Sequence, residues 1–507
     1  MVMIESAAAL LYGFADALTP MNLLMAAIGA LIGTFVGVLP GLGPTSAIAI
    51  LLPLTAVLEP AQAIIMLAGI YYGAMYGGST TAILLNIPGE ASSVPTCLDG
   101  YPLAVQGRGG PALGIAAISS FIAGIIGVLG LVFFAPVLAE QAIKLGPPEL
   151  FSVMLLALAV TSGLTGGSLL KSLIMGLFGF LLSMVGLGSS TGMFRFTFGL
   201  GSLSGGFEMI SIIIGLFAIT EVLRSMEEKK TAVSSDRIGS VYPSRSDLRQ
   251  SSGAIAAGSV IGFVLGLLPG ISAAITSFLS YDVVKRFSKR RHLFGRGAIE
   301  GVAAPEAANN ATSSAGFIPL FALGIPSSPP LAVLLAGLMI YGVAPGPLLF
   351  EQKGGFIWTV IASMVIGNIV LLLLNLPLVG LWARLTRVPF GIMAPIILML
   401  SIIGAYTVRN SLFDVGVAVV FGVLGYFMHK FDWPVMPLIL CFILGPLMEQ
   451  SFTQALSMSG GSFSIFVTRP LALTFLIITA VLFLVSIWLV GRTRRRVQEE
   501  GAEALDF

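Results

Sequence analysis

Charged residues are scarce in this sequence. Only 10% of its 507 residues are Asp, Glu, Lys or Arg, whereas 56% are hydrophobic. Soluble domains contain about 25% charged residues, so the composition excludes an ordinary soluble protein and predicts a polytopic membrane protein. The net charge of +2 is too small to indicate a nucleic-acid partner, and the lipid bilayer is the expected surrounding.

Residues that catalyse reactions or bind metals are nearly absent as well. The two cysteines, Cys97 and Cys441, lie far apart in apolar sequence, which predicts packing roles and no disulfide or metal site. The two histidines, His292 and His429, adjoin basic residues at the ends of apolar runs, as solvated flanks do. No Gly-Lys dipeptide of a Walker loop occurs, nor any set of nucleophile, His and acid. We therefore expect neither an enzyme nor a cofactor.

Basic residues are missing altogether before Arg108. Because Lys and Arg collect on the cytoplasmic side of membrane proteins, the chain is predicted to begin outside the cytoplasm. Residues 1–20 lack the basic region of a cleavable signal and are predicted to form an interfacial segment. The basic tail Arg492–Arg496 predicts a cytoplasmic C-terminus.

What is abundant is glycine and proline at membrane depth. The stretch Gly33–Ala47 lies between long apolar runs, yet Pro40 and Pro44 lack the N–H that a helix needs. The second half repeats the pattern at a fixed offset of 229 residues, with Gly29, Gly33, Gly37, Leu39, Pro40 and Gly41 matching Gly258, Gly262, Gly266, Leu268, Pro269 and Gly270. We interpret the spaced glycines mainly as a close-packing motif and the repeated Pro-Gly pairs as functional helix breaks.

A second kind of break also occurs twice. Ile87-Pro88-Gly89 in the first half matches Ile325-Pro326-Ser327 in the second half. The run Lys285–Arg296 is strongly basic, whereas its first-half equivalent, Pro53–Gln62, has no basic residue. Equivalent loops on opposite sides of the membrane are what an inverted repeat predicts. The charge pattern also favours re-entrant hairpins, because a full crossing at either hairpin would place a basic segment outside.

The predicted fold class is an all-α polytopic membrane protein with two inverted repeats, each containing a re-entrant hairpin and a broken helix. An interfacial segment, 1–20, precedes the first repeat, 21–224, with its hairpin at 21–58 and its broken helix at 63–105. After a cytoplasmic linker, 225–252, the second repeat spans 253–451, with its hairpin at 253–283 and its broken helix at 313–343. A C-terminal loop and helix, 452–490, and a cytoplasmic tail, 491–507, complete the chain.

The four breaks predict a shared cavity, because non-helical backbone is tolerated in a bilayer only where protein buries it or water reaches it. Half-helices beginning at Thr45 and Ser272 would direct unpaired N–H groups into this cavity, which suits a carboxylate. The predicted substrate-binding residues are Gly41, Gly43, Pro44, Thr45, Ser46, Asn86, Pro88, Pro269, Gly270, Ser272, Asn309, Asn310, Pro326 and Ser327.

Polar residues near the breaks could also bind a cation. The oxygens of Asn86, Asn309 and Asn310 suit Na⁺ or, through their amides, a carboxylate; helix capping and turn formation are the structural alternative. Glu90, Asp99 and Glu306 are candidates for ion coupling, since an acid at membrane depth can carry a proton or bind a cation. Their alternative location is an aqueous loop.

Several long motifs resemble the large membrane subunit of the tripartite tricarboxylate transporters, and the resemblance covers nearly the whole chain. The matching segments are Gly37–Pro44, Tyr72–Thr81, Asn86–Gly89, Asp99–Pro102, Leu267–Gly270, Pro305–Asn310 and Leu323–Pro326. One departure is Ser327, where the family pattern would have Gly, so the width of the second break is in question.

The resemblance implies a permease of the bacterial inner membrane that imports carboxylates such as citrate, or related acids including aromatic ones. It would work with a small four-helix membrane subunit and a periplasmic substrate-binding protein, use Na⁺ or H⁺ as coupling ion, and move by an elevator motion. The N-terminus would then be periplasmic. The sequence leaves open whether the chain forms a homodimer.

Two other classes of function share some of these features. An anion channel or passive pore also uses re-entrant hairpins and would carry anions without a gradient of a coupling ion. An intramembrane enzyme is disfavoured, because the sequence has no paired-aspartate, Ser-His or His-Glu-x-x-His set.

Overall fold

The computed structural model of the protein describes residues 2–39, 42–164, 168–188, 192–227, 240–385 and 390–485. The helices before the central linker are α1 (Val2–Ala17), α2 (Pro20–Val38), α3 (Pro44–Leu51), α4 (Pro60–Leu85), α5 (Val94–Leu103), α6 (Gly109–Ile143), α7 (Pro147–Leu164), α8 (Leu169–Ser183), α9 (Met209–Ile213) and α10 (Thr220–Glu227). Short 3₁₀ or π segments lie at Pro53–Val57, Ala91–Ser93, Ala104–Arg108, Gly201–Leu203 and Ile214–Ile219.

The helices after the linker are α11 (Arg245–Gly266), α12 (Ala273–Phe287), α13 (Glu300–Ala315), α14 (Phe317–Leu323), α15 (Pro329–Ile340), α16 (Leu349–Gln352), α17 (Gly354–Asn375), α18 (Val379–Leu385), α19 (Phe390–Thr407), α20 (Leu412–Lys430), α21 (Val435–Met458), α22 (Ile465–Thr468) and α23 (Pro470–Val485). A short 3₁₀ segment lies at Arg291–Leu293. Among the described residues, seven helices are long and apolar enough to cross a membrane. Helix lengths do not distinguish a re-entrant arm from a full crossing, so the hairpins stay a prediction.

The chain forms two compact units, each built from two separate segments. Unit 1 contains Met1–Ile143 and Met209–Tyr426, and unit 2 contains Lys144–Glu208 and Phe427–Phe507. Within unit 2, α21 packs against α7 and α8. These boundaries differ from those of the predicted repeats, and the inversion of the repeats stays a prediction.

The spaced glycines of both halves bring two helices into backbone contact. On α2, a Cβ added to Gly33 would lie 2.5 Å from the carbonyl oxygen of Ile70 on α4. On α11, a Cβ added to Gly262 would lie 2.3 Å from the carbonyl oxygen of Ala308 on α13. The contact partners Met66, Ile70 and Ala74 correspond to Ala304, Ala308 and Thr312 at a constant offset of 238 residues. The two halves therefore contain equivalent helix pairs, in the register that the sequence repeat predicts.

The breaks after α4 and α14 have the same backbone geometry. Both helices end at a residue in the left-handed conformation, Asn86 with φ 56° and Gly324 with φ 72°. In each case the next N–H bonds back to the helix: Ile87 N donates to Thr81 O at 3.3 Å, and Ile325 N donates to Pro319 O at 3.2 Å. Each bond joins residues six positions apart and satisfies a carbonyl group that would otherwise be unpaired at the helix end. Both predicted breaks in the broken helices are confirmed.

The hairpin breaks are also present in the described residues. Helix α2 ends at Val38 and α3 begins at Pro44, where a proline at the first helical position costs no hydrogen bond. In the second half α11 ends at Gly266 and α12 begins at Ala273. Between them, Gly270 has φ 84°, a conformation that glycine adopts without strain.

A short β-ribbon in unit 2 departs from the all-helical prediction. The strands β1 (Gly186–Leu187) and β2 (Phe194–Arg195) pair antiparallel, with Gly186 opposite Arg195. Helix α8 ends at Ser183, and Gly186 after it has φ 106°, a conformation that cannot continue a helix.

Asp99 fixes the loop that leads into α13. Its Oδ1 accepts hydrogen bonds from the backbone N–H groups of Gly295, Gly297 and Ala298 at 2.8–2.9 Å, and its Oδ2 accepts one from the Tyr281 hydroxyl at 2.9 Å. The side chain is fully buried. A carboxylate bonded in this way joins α5 of the first half to the start of α13 in the second half.

Gly262→Ala should destabilise the protein by about 1–3 kcal/mol, because the added methyl group forces α11 away from α13. Gly253→Ala on the same helix is the matched control, since an added Cβ there meets nothing within 4 Å. The control should be neutral or stabilising by up to about 1 kcal/mol. Unfolding of both variants in mild detergent measures the difference, and equal stability of the two would contradict the close approach.

Asp99→Ala should destabilise the protein more than Asp99→Asn. Asparagine keeps one oxygen for the three N–H groups, whereas alanine leaves them without this acceptor, at about 1–3 kcal/mol for the buried N–H of Ala298. The thermal midpoint should therefore fall in the order wild type, Asp99→Asn, Asp99→Ala. The exposed Asp282 provides a control, and its replacement by Ala should change the midpoint little. A midpoint for Asp99→Ala equal to that of the wild type would refute the anchoring role.

Candidate functional site

Helix α13 is polar in sequence and buried along its whole length. It contains Glu, Asn, Thr and Ser among small Ala and Gly residues, and all its side chains are buried. Its neighbours in unit 1 include α4, α5, α6, α11 and α12. Buried polar groups need hydrogen-bond partners, so the partners of α13 define the candidate site.

Glu306 is held by hydroxyl groups from three different helices. Ser79 on α4 donates to its Oε2 at 2.6 Å, and Thr96 on α5 donates to its Oε1 at 2.6 Å. Ser120 on α6 lies 3.4 Å from Oε2. The carboxyl group is 1% exposed. Among the described residues it has no ion-pair partner, so this acid is a buried group without a compensating cation.

Glu90 lies at the first broken helix, directly before Ala91–Ser93. Its Oε1 accepts a hydrogen bond from Nδ2 of Asn309 at 3.2 Å and a short one from the hydroxyl of Ser92. Its stem packs over Gly78, where an added Cβ would be 3.2 Å from Glu90 Cγ. Ser79, the next residue on α4, bonds Glu306, so the two acids contact consecutive residues of α4.

The two asparagines of α13 have different roles. Asn310 donates to the backbone oxygen of Glu306 at 3.1 Å, a bond within the helix. Asn309 donates to Glu90, and its Oδ1 is buried with no hydrogen-bond partner. Asn86, in contrast, is exposed and ends α4, as the capping alternative predicts. The structure therefore brings Glu90, Glu306 and Asn309 together and leaves Asn86 outside this cluster.

The first hairpin tip is described only in part. Of the predicted residues Gly41, Gly43, Pro44, Thr45 and Ser46, Gly41 lies outside the described residues. Thr45 is partly exposed, and Gly43 has open space where a Cβ would stand. The hydroxyl of Ser46 is buried and donates to the carbonyl oxygen of Phe217 at 3.2 Å, which gives it a packing role.

The second hairpin tip lies against the second broken helix. The N–H of Gly270 donates to the carbonyl oxygen of Ser327 at 3.1 Å. Ser327 and Pro326 are buried, and Pro269 and Ser272 are partly exposed. Ser272 precedes α12 but makes no side-chain capping bond. Pro88, the first-half equivalent of Pro326, is partly exposed.

Glu306 is held by residues that the sequence did not reveal. Ser79, Thr96 and Ser120 are single hydroxyl residues on apolar helices, far apart in sequence from Glu306. A local signal was present, because Ser79 belongs to the segment Tyr72–Thr81 that resembles the transporter family. No group of three or more His, Cys, Asp or Glu side chains suited to a metal ion was found within the described part of the chain.

The comparisons with known proteins agree with the resemblance. Residues 23–440 match the family described as "Tripartite tricarboxylate transporter TctA family". Two similar proteins come from Agrobacterium vitis: an uncharacterized 52.8 kDa protein in the TAR-I ttuC' 3'region, 44% identical over 92% of this chain and 93% of its own, and an uncharacterized protein in the TAR-II ttuC' 3'region, 43% identical over 42% of this chain and 89% of its own. No solved structure matches significantly. The chain is a multi-pass membrane protein that belongs to the tripartite tricarboxylate transporter TctA family.

Proposed function

We propose that this protein is the large permease subunit of a transporter that imports organic carboxylates and is driven by a cation gradient. The observation that carries the proposal is a buried carboxyl group, Glu306, and a partly exposed one, Glu90, beside a helix break in a chain of a tricarboxylate transporter family. Ionisable groups at membrane depth without ion-pair partners are typical of ion pathways. Citrate or a related acid is the proposed substrate.

The proposed substrate site lies at the hairpin tips and the breaks beside them. Helices α3 and α12 begin there, and helix N-termini favour anions through their free N–H groups and dipoles. Thr45 and Ser272 are partly exposed hydroxyl residues at these starts. Ser272 could donate to a carboxylate without giving up a capping bond, since it makes none, and Thr45 lies in the first turn of α3.

The rest of the proposal concerns assembly and movement. The permease works in the bacterial inner membrane with a small four-helix membrane subunit and a periplasmic binding protein, with its N-terminus periplasmic and its C-terminus cytoplasmic. The inverted repeats would let the hairpins carry the substrate across in an elevator motion. The basis is the charge pattern of the loops, the equivalent helix pairs and the family.

Proteoliposomes containing the permease and its small membrane subunit, supplied with the binding protein, should accumulate labelled citrate or a related acid only under an imposed Na⁺ or pH gradient. A gradient-driven carrier concentrates its substrate, so uptake should exceed equilibrium and collapse when an ionophore removes the gradient. Omission of the binding protein is the control. Equal flux without a gradient would indicate a passive channel, and uptake that needs ATP would contradict the proposal.

Ser272→Ala should raise the KM for the carboxylate up to about tenfold, the effect of one hydrogen bond to a charged group of about 1.5 kcal/mol. The thermal midpoint should not change, because Ser272 makes no capping bond in α12. Ser46→Ala is the comparison, since its hydroxyl already donates to Phe217. A KM unchanged in Ser272→Ala would show that the second tip has only a structural role.

A further inference from the structure

The acid cluster has no counterpart in the other half of the protein. At the offset of 238 residues that relates α4 to α13 and α14, five residues of the cluster have equivalent positions. Glu90, Asn309, Glu306, Ser79 and Thr96 correspond to Ser328, Tyr71, Ala68, Phe317 and Leu334. One contact of the cluster is also repeated. Asn309 bonds Glu90, and at the equivalent positions the Tyr71 hydroxyl lies 3.4 Å from the Ser328 hydroxyl. The two halves therefore repeat this contact with different side chains.

The equivalent positions show which features of the cluster the fold itself requires. Ser328 has φ −148° and ψ 161°, and Glu90 has φ −148° and ψ 170°, so both precede their helices in the same conformation. Ala68, Phe317 and Leu334 are fully buried. The architecture thus folds with apolar residues where the cluster has an acid and two hydroxyls. Burying an acid is costly, and Ala68 shows that the fold requires no acid at the position of Glu306.

One atom of the cluster lacks any partner. Asn309 is fully buried, and its amide donates to Glu90 through Nδ2. The carbonyl oxygen of the same amide, Oδ1, is bonded to nothing. Since Oδ1 and Nδ2 share one carbon atom, this free oxygen lies beside Glu90. Glu306 is on the same face of α13, three residues before Asn309.

We propose that a single Na⁺ ion binds at Glu90 and the free carbonyl oxygen of Asn309, with Glu306 supplying the second negative charge. The inference rests on the proposed function and names its coupling ion. A proton needs only one carboxylate, whereas hard metal cations need several oxygens. Two carboxylates with no ion-pair partner among the described residues, one free amide oxygen and nearby hydroxyls are such a set. The equivalent positions in the other half contain no acid, which predicts one Na⁺ site per chain.

The purified full-length chain in detergent tests this site without any carboxylate. Replacing K⁺ by Na⁺ at constant ionic strength should raise the thermal midpoint of the wild type, because an ion that binds the folded state stabilises it. Equilibrium binding of ²²Na⁺ should saturate at one ion per chain. Ca²⁺ and a pH series in K⁺ are measured in parallel.

Glu90→Gln and Glu306→Gln should each weaken Na⁺ binding at least about tenfold, since even indirect changes at metal sites cost this much. Two variants should bind Na⁺ as the wild type does. Glu351→Gln removes an exposed acid, and Ser328→Ala alters the equivalent contact in the other half. Asn309→Ser, which removes the free carbonyl oxygen but no charge, keeps the test valid if a Gln variant fails to fold, and it should also weaken binding.

Three outcomes would overturn the proposal. They are the absence of Na⁺ binding by the wild type, a stabilisation that follows pH alone, and unchanged affinity in the three cluster variants. These outcomes are distinct from failure of the proposed function, because the ion is measured without carboxylate or binding protein. A chain that binds Na⁺ but transports no carboxylate would refute only the import proposal.

Discussion

The close approach of α11 to α13 is the constraint on which the candidate site depends. Because Gly258 and Gly262 have no side chains, the carbonyl oxygens of Ala304 and Ala308 lie against the backbone of α11. Helix α13 is then enclosed by protein, and all its side chains are buried. Glu306 is consequently buried. Its hydrogen-bond partners are hydroxyl groups on α4, α5 and α6 of the first half, so the packing of α11 against α13 determines which groups surround this acid.

The helix breaks are closed by backbone hydrogen bonds, which leaves their side chains free to differ. In a bilayer an unsatisfied N–H or carbonyl group costs several kcal/mol. Both breaks meet this requirement with a left-handed residue, Asn86 or Gly324, and the same closing bond. Asparagine tolerates this conformation and glycine adopts it freely. Because this closing bond joins backbone groups, the residue before the next helix can be Glu90 in one half and Ser328 in the other.

Sequence reasoning predicted the breaks well, because Pro and Gly act on their own backbone. It located the glycine contacts for the same reason, since a period of four residues is a local property of a helix. It could not assign the partners of Glu306, which come from three helices and are 186 to 227 residues away along the chain. It also grouped Asp99 with the ion-coupling acids, whereas backbone N–H groups and Tyr281 engage both of its oxygens.

Two halves with the same backbone and different side chains explain how one chain can handle two solutes. A carrier that couples an anion to a cation needs a negative site and a positive one, which identical halves could not provide. In this protein the first break faces acids, and the equivalent contact at the second break joins Tyr71 to Ser328. Both breaks share one backbone conformation, and the residues in contact there differ, an amide and an acid at the first and two hydroxyl groups at the second. The proposed Na⁺ site therefore occupies the break of one half only, whereas the proposed carboxylate site uses the hairpin tips of both halves.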